Sequence, residues 1–243
     1  SVVCYADMAR QLKADQPFYG LKAFGTDSGT TPLTSVEEMS KEYIKAMHSV
    51  CPKGPRILGG FSVGGIIARE MAQQLREQGE NIPLLILIDT PVPEVAYQSI
   101  NNDIHQFIFF SHLIGIYSNT DILPLYQEIR GIDPEKGIDD VRKDIEMLSY
   151  WERLDVLWKC IQNAGSLAQY LSIEYMDRLF NVFVGNIQAV SDYTIQPYSG
   201  RTVLLRASED ELLFPAINEG IHAWESHPFG SFETNDIPGA SHF

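Results

Sequence analysis

The stretch from residue 57 to residue 72 constrains this chain more than any other. Its first two residues end a short apolar run, which predicts a buried strand. From Ile66 onward, apolar residues recur at helical spacing among good helix formers, which predicts a helix. Between the two lies Gly60-x-Ser62-x-Gly64. A turn this tight forces the serine into a strained conformation, and bulky residues two positions to either side would clash.

The motif makes Ser62 the candidate nucleophile. The helix that follows points its N-terminal N–H groups at whatever the serine attacks, which favours a reactive serine over an ordinary serine on a glycine-rich turn. A serine hydroxyl becomes an effective nucleophile when a histidine takes its proton and a carboxylate fixes the tautomer of that histidine. The rest of the chain should therefore supply a base and an acid that reach Ser62.

Strands and helices alternate along most of the chain. Apolar runs predict strands at residues 17–25, 56–61, 81–89, 201–207 and 231–237. Helical periodicity predicts helices at residues 1–13, 35–50, 63–78, 175–193 and 215–224. Helices of about 15 residues between strands are typical of crossover connections between parallel strands. The expected fold class is therefore α/β, with a mostly parallel sheet and helices on both faces.

Residues 92–173 interrupt this alternation. The segment has no clear strand, and helical patterns occupy it, one around residues 104–114 and another from 138 to about 160. It is either an all-helical subdomain on the sheet edge or a helical lid whose apolar face lines a channel for an apolar substrate. Because the segment follows a strand that ends close to Ser62, we expect a lid.

Asp89 is the candidate acid. It ends the most apolar of the predicted strands, and reactive groups collect at the carboxyl ends of parallel strands. The alternative for Asp89 is a capping aspartate in the loop before Thr90. Asp210 is a rival acid because it also follows a strand, although the four polar residues 208–211 are more typical of a solvated loop.

His242 is the candidate base. It lies in a short loop just after the last predicted strand, which completes the chain order Ser, Asp, His. The other histidines are expected to be core or surface residues: His48, His105, His112, His222 and His227. Of these, His112 lies in the expected lid, where a contact with substrate is the alternative.

Composition excludes several functions. A length of 243 residues suits one large α/β domain, and a formal charge of −14 repels nucleic acid and anionic membranes. No apolar run approaches the ~20 residues that span a bilayer, and no secretory signal is visible. Cys4, Cys51 and Cys160 form no metal-ligand pattern with the histidines. We therefore expect reduced thiols, no metal and a cytoplasmic location.

Residues 57–72, with the run Gly-Gly-Phe-Ser-Val-Gly-Gly, resemble the thioesterase domains at the ends of polyketide synthases and non-ribosomal peptide synthetases. Animal fatty acid synthase thioesterases belong to the same family. The resemblance extends to residues 1–12, residues 15–21, the terminal Pro-Gly-x-Ser-His-Phe and the short spacing from Ser62 to Asp89. It covers the chain apart from the lid and implies an α/β-hydrolase fold.

The resemblance implies that Ser62 is acylated by a polyketide, peptide or fatty acyl chain. That chain would arrive on the phosphopantetheine arm of an acyl or peptidyl carrier protein in the same polypeptide, and the domain itself would bind no cofactor. Asp89 and His242 would complete the triad, and the product would leave by hydrolysis or macrocyclisation. The alternatives are a free-standing editing thioesterase, a lipase or esterase, and an inactive hydrolase fold that serves as a docking module.

The resemblance also implies an oxyanion hole. One donor is the N–H of Val63, and the other is an N–H from a Gly-rich loop after an earlier strand. That loop is expected to precede Ser1. We therefore expect residues 1–243 to be a single thioesterase domain, cut from a larger synthase and lacking its N-terminal strand and oxyanion loop.

Overall fold

Four parallel strands form the sheet of this computed structural model, and they are adjacent in chain order. The strands are β1 (Ile57–Phe61), β2 (Leu84–Ile88), β3 (Tyr198–Ala207) and β4 (Phe229–Ile237). The structure describes residues 2–12, 16–100, 102–118, 120–164, 171–209, 215–227, 229–240 and 242. The parallel sheet confirms the expected α/β class, and four of the five predicted strands are present.

The predicted strand at residues 17–25 is wrong. Its backbone pairs with no described strand, and its large apolar side chains are at least 37% exposed. Aromatic contacts hold the segment instead, with the Phe18 ring 6.4 Å from Tyr5 and the Phe24 ring stacked 5.7 Å from Tyr43. An apolar run becomes a strand only where a neighbouring strand presents an edge, and that condition is not local to the sequence.

Helices connect and cover the strands. Their bounds are α1 (Ala6–Gln11), α2 (Val36–Val50), α3 (Val63–Glu77), α4 (Pro93–Ala96), α5 (Asp103–Tyr117), α6 (Ile122–Arg130), α7 (Ile138–Met147), α8 (Tyr150–Asn163), α9 (Ile173–Asp192) and α10 (Pro215–His222). Short 3-10 turns occur at Val2–Tyr5, Tyr97–Ser99 and Ala223–Ser226. None of the described helices is long and apolar enough to cross a bilayer.

The described part of residues 92–173 contains helices and no strand. The single helical pattern expected from residue 138 to about 160 is two helices, because Ser149 and Glu152 form a capping box that starts α8. Helix α6 had no prediction of its own, since Pro124 weakens the helical signal there; the proline is tolerated in the first turn, where its missing N–H costs no hydrogen bond.

The apolar interior consists of two clusters. The first joins β1 and β2 to helices including α2 and α3, with fully buried residues such as Ile66, Leu75 and Leu85. The second lies within the insertion and α9, with Phe107, Leu154 and further buried residues. Helices α5 to α8 of the insertion therefore share a second apolar core with α9, whereas the start of the insertion packs into the core under the sheet.

Candidate active site

Ser62 lies on the turn between β1 and α3. Its backbone has φ 51° and ψ −127°, a region that residues with a side chain rarely adopt. The Ser62 N–H donates to the Ile88 carbonyl at 2.9 Å, and the Ser62 carbonyl accepts from Gly65 N–H at 2.9 Å. These bonds hold the strained turn at the carboxyl end of the sheet, as the motif predicted.

Glycines make the turn sterically feasible, but they are not equally crowded. A Cβ on Gly60 would lie 2.1 Å from the Gly64 carbonyl oxygen, whereas a Cβ on Gly64 would meet only the Tyr5 hydroxyl, at 3.4 Å. A Cβ on Gly65 would lie 1.9 Å from the Thr90 Oγ1. The structure thus supports the predicted need for glycine at position 60, finds space at position 64, and adds an unpredicted close contact at position 65.

Asp89 follows β2, beside Ser62 at the same edge of the sheet. It is 4% exposed, and it too has a positive φ, of 41°. Its N–H donates to the Leu205 carbonyl at 2.7 Å, and its Oδ1 accepts from the Ala207 N–H at 2.7 Å. Strand β3 therefore fixes both the backbone and one carboxylate oxygen of Asp89, which leaves Oδ2 for another partner.

That partner is His242, which is 2% exposed. Its Nδ1 lies 2.5 Å from Asp89 Oδ2, and its Nε2 lies 3.2 Å from Ser62 Oγ. Because a carboxylate only accepts hydrogen bonds, Nδ1 carries the proton of the neutral ring and Nε2 is left to accept from the Ser62 hydroxyl. The Phe61 ring, 5.0 Å away, packs beside the imidazole.

The remaining candidates do not join this cluster. Asp210 lies outside the described residues. His48 contacts Glu80, His105 contacts Asn102, His222 contacts Arg206, and His227 contacts the Ala223 carbonyl. His112 lies on α5. Among the described residues, His242 is the histidine that reaches both Ser62 and Asp89.

Val63 is the first residue of α3. Its N–H is one of the helix N-terminal donors that lack an acceptor within the helix. Two open clefts, of about 450 and 520 Å³, lie elsewhere in the described chain, and neither is lined by Ser62, Asp89 or His242.

Sequence reasoning missed three residues that support the site. The Tyr5 hydroxyl accepts from the Phe61 N–H at 2.9 Å, and the Trp224 indole donates to the Thr90 carbonyl at 2.6 Å. Tyr97 is 1% exposed; burial raises its pKa well above the usual range, and the neighbouring Ser62 side chain has a smaller effect that lowers it. The residues in these contacts are distant in sequence, so no local sequence pattern predicts them.

Known proteins resemble this chain over most of its length. The model of the thioesterase domain family matches residues 1–129. Atromentin synthetase nps3 of Serpula lacrymans var. lacrymans is 27% identical over 98% of this chain, and the chain spans 23% of that protein. An inactive atromentin synthetase, invA6 of Paxillus involutus, is 28% identical over 65% of the chain. The chain thus spans about a quarter of the length of the first of these curated relatives.

Solved structures share the fold. The chain aligns over its full length with 17% of holo-AB3403, a four-domain non-ribosomal peptide synthetase bound to AMP and glycine, at a TM-score of 0.77 and 22% identity. It also aligns over its full length with 82% of the Vlm2 thioesterase domain, at a TM-score of 0.63 and 24% identity. The sheet and its helices are thus consistent with an α/β-hydrolase fold. Since the family model covers more than half of the sequence, this chain belongs to the thioesterase domain family.

Proposed function

We propose that this chain is a serine thioesterase that releases an acyl or peptidyl chain from a carrier protein through an acyl-Ser62 intermediate. One observation carries the proposal: Asp89, His242 and Ser62 form a continuous hydrogen-bonded series, 2.5 and 3.2 Å between successive partners. Membership of the thioesterase domain family supports a hydrolase. On the basis of these contacts we assign Ser62 as nucleophile, His242 as base and Asp89 as acid.

Acylation begins when Ser62 Oγ attacks the thioester carbonyl carbon. His242 Nε2 takes the hydroxyl proton as the new C–O bond forms, and the Asp89 carboxylate stabilises the imidazolium that results. The C–S bond then breaks, and the imidazolium returns the proton to the departing thiol. The chain is left as an ester on Ser62, and the phosphopantetheine arm leaves with its thiol restored.

The carbonyl oxygen becomes negatively charged in the tetrahedral intermediate. The Val63 N–H supplies one donor from the start of α3. In this proposal the second donor would be an N–H of a Gly-rich loop outside residues 1–243. An oxyanion hole of two donors matters because losing one costs about 10²–10³ in rate.

Deacylation repeats these steps with a second nucleophile. His242 removes a proton from water, or from a hydroxyl or amine of the bound chain itself, and the oxygen or nitrogen so activated attacks the ester carbonyl carbon. The bond from that carbon to Ser62 Oγ then breaks, and the imidazolium returns the proton to Oγ. Hydrolysis gives an acid, and internal attack gives a macrocycle. In this proposal the helices of residues 92–173 form a lid, whose apolar interior side would contact an apolar chain.

We also propose that the carrier lies in the same polypeptide. The curated relatives are named as synthetases, and this chain spans 23% of the first of them. Tethering raises the effective concentration of the carrier, which offsets repulsion between a chain of charge −14 and an acidic carrier. A free-standing editing thioesterase and an esterase are the enzymatic alternatives.

A docking module without activity is the second candidate, because two relatives of this chain, invA3 and invA6, are named inactive atromentin synthetases. The Ser62, His242 and Asp89 contacts favour an active enzyme over this alternative. Labelling by a fluorophosphonate probe separates the two, because the probe reacts with an activated serine and leaves an inactive fold unlabelled.

The test is direct detection of the acyl-enzyme. The full-length protein that contains this sequence is incubated with an acyl-pantetheine thioester, digested and mapped by mass spectrometry. We expect the mass of the acyl group on the peptide that contains Ser62, and none in Ser62→Ala. The control variant is Ser49→Ala, which alters an exposed serine of α2 and should leave the adduct unchanged. An equal adduct in Ser62→Ala would refute the proposal.

A further inference from the structure

Tyr97 occupies a position that the proposed mechanism does not use. It begins the 3-10 turn that follows α4, a short distance along the chain from Asp89. Its side chain is 1% exposed and belongs to the apolar cluster under the sheet, together with Val92, Ala96 and Ile100. A phenylalanine would fill this apolar volume equally well, so the hydroxyl needs an explanation of its own.

The Tyr97 hydroxyl is buried and makes no hydrogen bond of ordinary geometry with any described residue. Burying a polar group without a partner is unfavourable, and such groups are rare in native proteins. Where they persist, they often mark a place at which function takes precedence over stability. Ser62 is the side chain close enough to the Tyr97 hydroxyl to lower the pKa of Tyr97, although the two hydroxyls do not form a hydrogen bond of ordinary geometry.

The two hydroxyls are complementary as donor and acceptor. Ser62 uses its hydrogen toward His242 Nε2, 3.2 Å away, which leaves the lone pairs of Oγ to accept. Burial raises the pKa of Tyr97 well above its ordinary value of 10, and the opposing effect of Ser62 is smaller. The phenol therefore keeps its proton and remains a donor throughout the pH range in which the enzyme would work.

We propose that Tyr97 is a positioning residue for the nucleophile, and that its hydroxyl donates a hydrogen bond to Ser62 Oγ when substrate binds. This inference rests on the proposed function of Ser62. Catalytic hydrogen bonds are often long or poorly aligned in unliganded enzymes and tighten in the substrate complex. The bond holds Oγ in the rotamer that faces His242, and it also favours the negative charge that builds on Oγ when the acyl ester is cleaved.

The matched test pairs Tyr97→Phe with Tyr198→Phe. Tyr198 is also buried with a hydroxyl that has no partner among the described residues, and it packs near Arg69 and Arg76. Tyr198 is the first residue of β3, and Ala207, whose N–H donates to Asp89, is the last. At ~3.3 Å per residue, the length of the strand separates Tyr198 from the site by roughly 30 Å. Both variants remove one buried, unpartnered hydroxyl, and only one of them is beside Ser62.

We expect Tyr97→Phe to lower kcat about tenfold, the effect of losing one hydrogen bond to the reacting group, with KM unchanged. The rate of fluorophosphonate labelling of Ser62 should fall by a similar factor. The melting temperature of Tyr97→Phe should equal that of the wild type or exceed it, because the substitution removes a buried hydroxyl that has no hydrogen bond. Tyr198→Phe should show the same change in melting temperature with wild-type kcat and labelling.

Wild-type kcat and labelling rate in Tyr97→Phe would overturn the inference and leave the hydroxyl without a role. The failure of the proposed function looks different. In that case Ser62→Ala would keep its activity and its acyl adduct, whatever Tyr97→Phe showed. An inactive Ser62→Ala beside a fully active Tyr97→Phe would refute the role of Tyr97 alone.

Discussion

The turn that carries Ser62 and the helical insertion at residues 92–173 are stabilised in opposite ways. Ser62 on this turn and Asp89 beside it at the end of β2 have positive φ angles of 51° and 41°. Such conformations cost about 1–3 kcal/mol each and persist only where the surroundings determine them. Hydrogen bonds from the Ser62 and Asp89 N–H groups to the Ile88 and Leu205 carbonyls hold these conformations. The geometry of the site thus depends on a few specific contacts.

The insertion stores little such strain. Its helices α5 to α8 are regular, α8 starts at a capping box, and the four helices share an apolar cluster with α9. Polar contacts at its margins link neighbouring helices, among them Arg153 with Asp103 and Arg130 with Asp144. Stability here is spread over many contacts of similar size.

The comparison predicts how each region responds to a single substitution. At the turn, one altered atom should cost much of the activity and little of the stability. In helices α5 to α8 of the insertion, one altered atom should cost a small part of the stability and none of the chemistry. Variants in the two regions therefore test whether the strained turn and the insertion differ as the contacts indicate.

The largest effect is expected for Asp89→Asn. The amide can still accept from the Ala207 N–H, but it no longer provides the carboxylate oxygen that fixes the proton of His242 on Nδ1. We expect kcat to fall about 10⁴-fold, as for loss of the acid in serine hydrolase triads, with the far-UV spectrum unchanged. Steady-state kinetics on an acyl-pantetheine thioester measure the loss.

Asp210→Asn is the comparison variant, because Asp210 is the rival acid in the sequence. We expect wild-type kinetics from it. If Asp89→Asn retained near-wild-type activity while Asp210→Asn lost it, the acid would have to be reassigned to Asp210, and the contact of Asp89 with His242 would be a structural one.

Gly60→Ala and Gly64→Ala should separate the two glycines of the motif. A Cβ at position 60 would lie 2.1 Å from a backbone oxygen, so the turn itself would have to move; a Cβ at position 64 has space. Displacement of a nucleophile by about 1 Å can cost roughly 10² in rate. We expect that loss for Gly60→Ala and near-wild-type kcat for Gly64→Ala. Equal losses in both variants would show that the crowding at Gly60 is not what matters.

The site was predictable from sequence because its signals are local. Glycines flank Ser62, an apolar run ends at Asp89, and His242 follows the last strand. In a parallel sheet the carboxyl ends of strands meet at one edge, so these separate signals converge in space without any knowledge of the contacts. The structure brings His242 within hydrogen-bonding distance of both Asp89 and Ser62.

Other features depend on partners that are distant in sequence. The segment 17–25 has a strand-like composition, but no described strand pairs with it. The proposed role of the Tyr97 hydroxyl depends on the nearby Ser62, which is 35 positions earlier in the chain. The break between α7 and α8 is different, because the capping residues Ser149 and Glu152 are a local signal that the apolar periodicity on either side obscured.

The smallest effect is expected in the insertion, for Asp144→Asn. Asp144 accepts from Arg130 at 2.7 and 3.0 Å and from the Tyr126 hydroxyl at 2.8 Å, so it joins α6 to α7. Both charged side chains are partly exposed, at 32% for Arg130 and 23% for Asp144, which limits the loss of unfolding free energy to about 1 kcal/mol. Thermal unfolding at neutral pH measures it, and kcat should not change.

The loss of stability in Asp144→Asn should depend on pH. Hydrogen bonds from Arg130 hold the pKa of Asp144 below its ordinary value of 3.8, against a smaller opposing effect of burial. The contribution of the carboxylate is therefore complete above about pH 4 and is lost as the pH falls through the lowered pKa. The difference between wild type and Asp144→Asn should shrink over that range.

Asp140→Asn provides the matched control on the same helix. Its pair with Lys143, at 3.8 Å, is more exposed and should contribute nothing measurable. Hydrogen exchange then locates the effect: in Asp144→Asn the amides of α6 and α7 should exchange faster while those of β1 and β2 keep their protection. If protection fell equally across the sheet, the insertion and the strained turn would unfold as one unit. The second apolar cluster would then not make helices α5 to α8 a separate unit of stability.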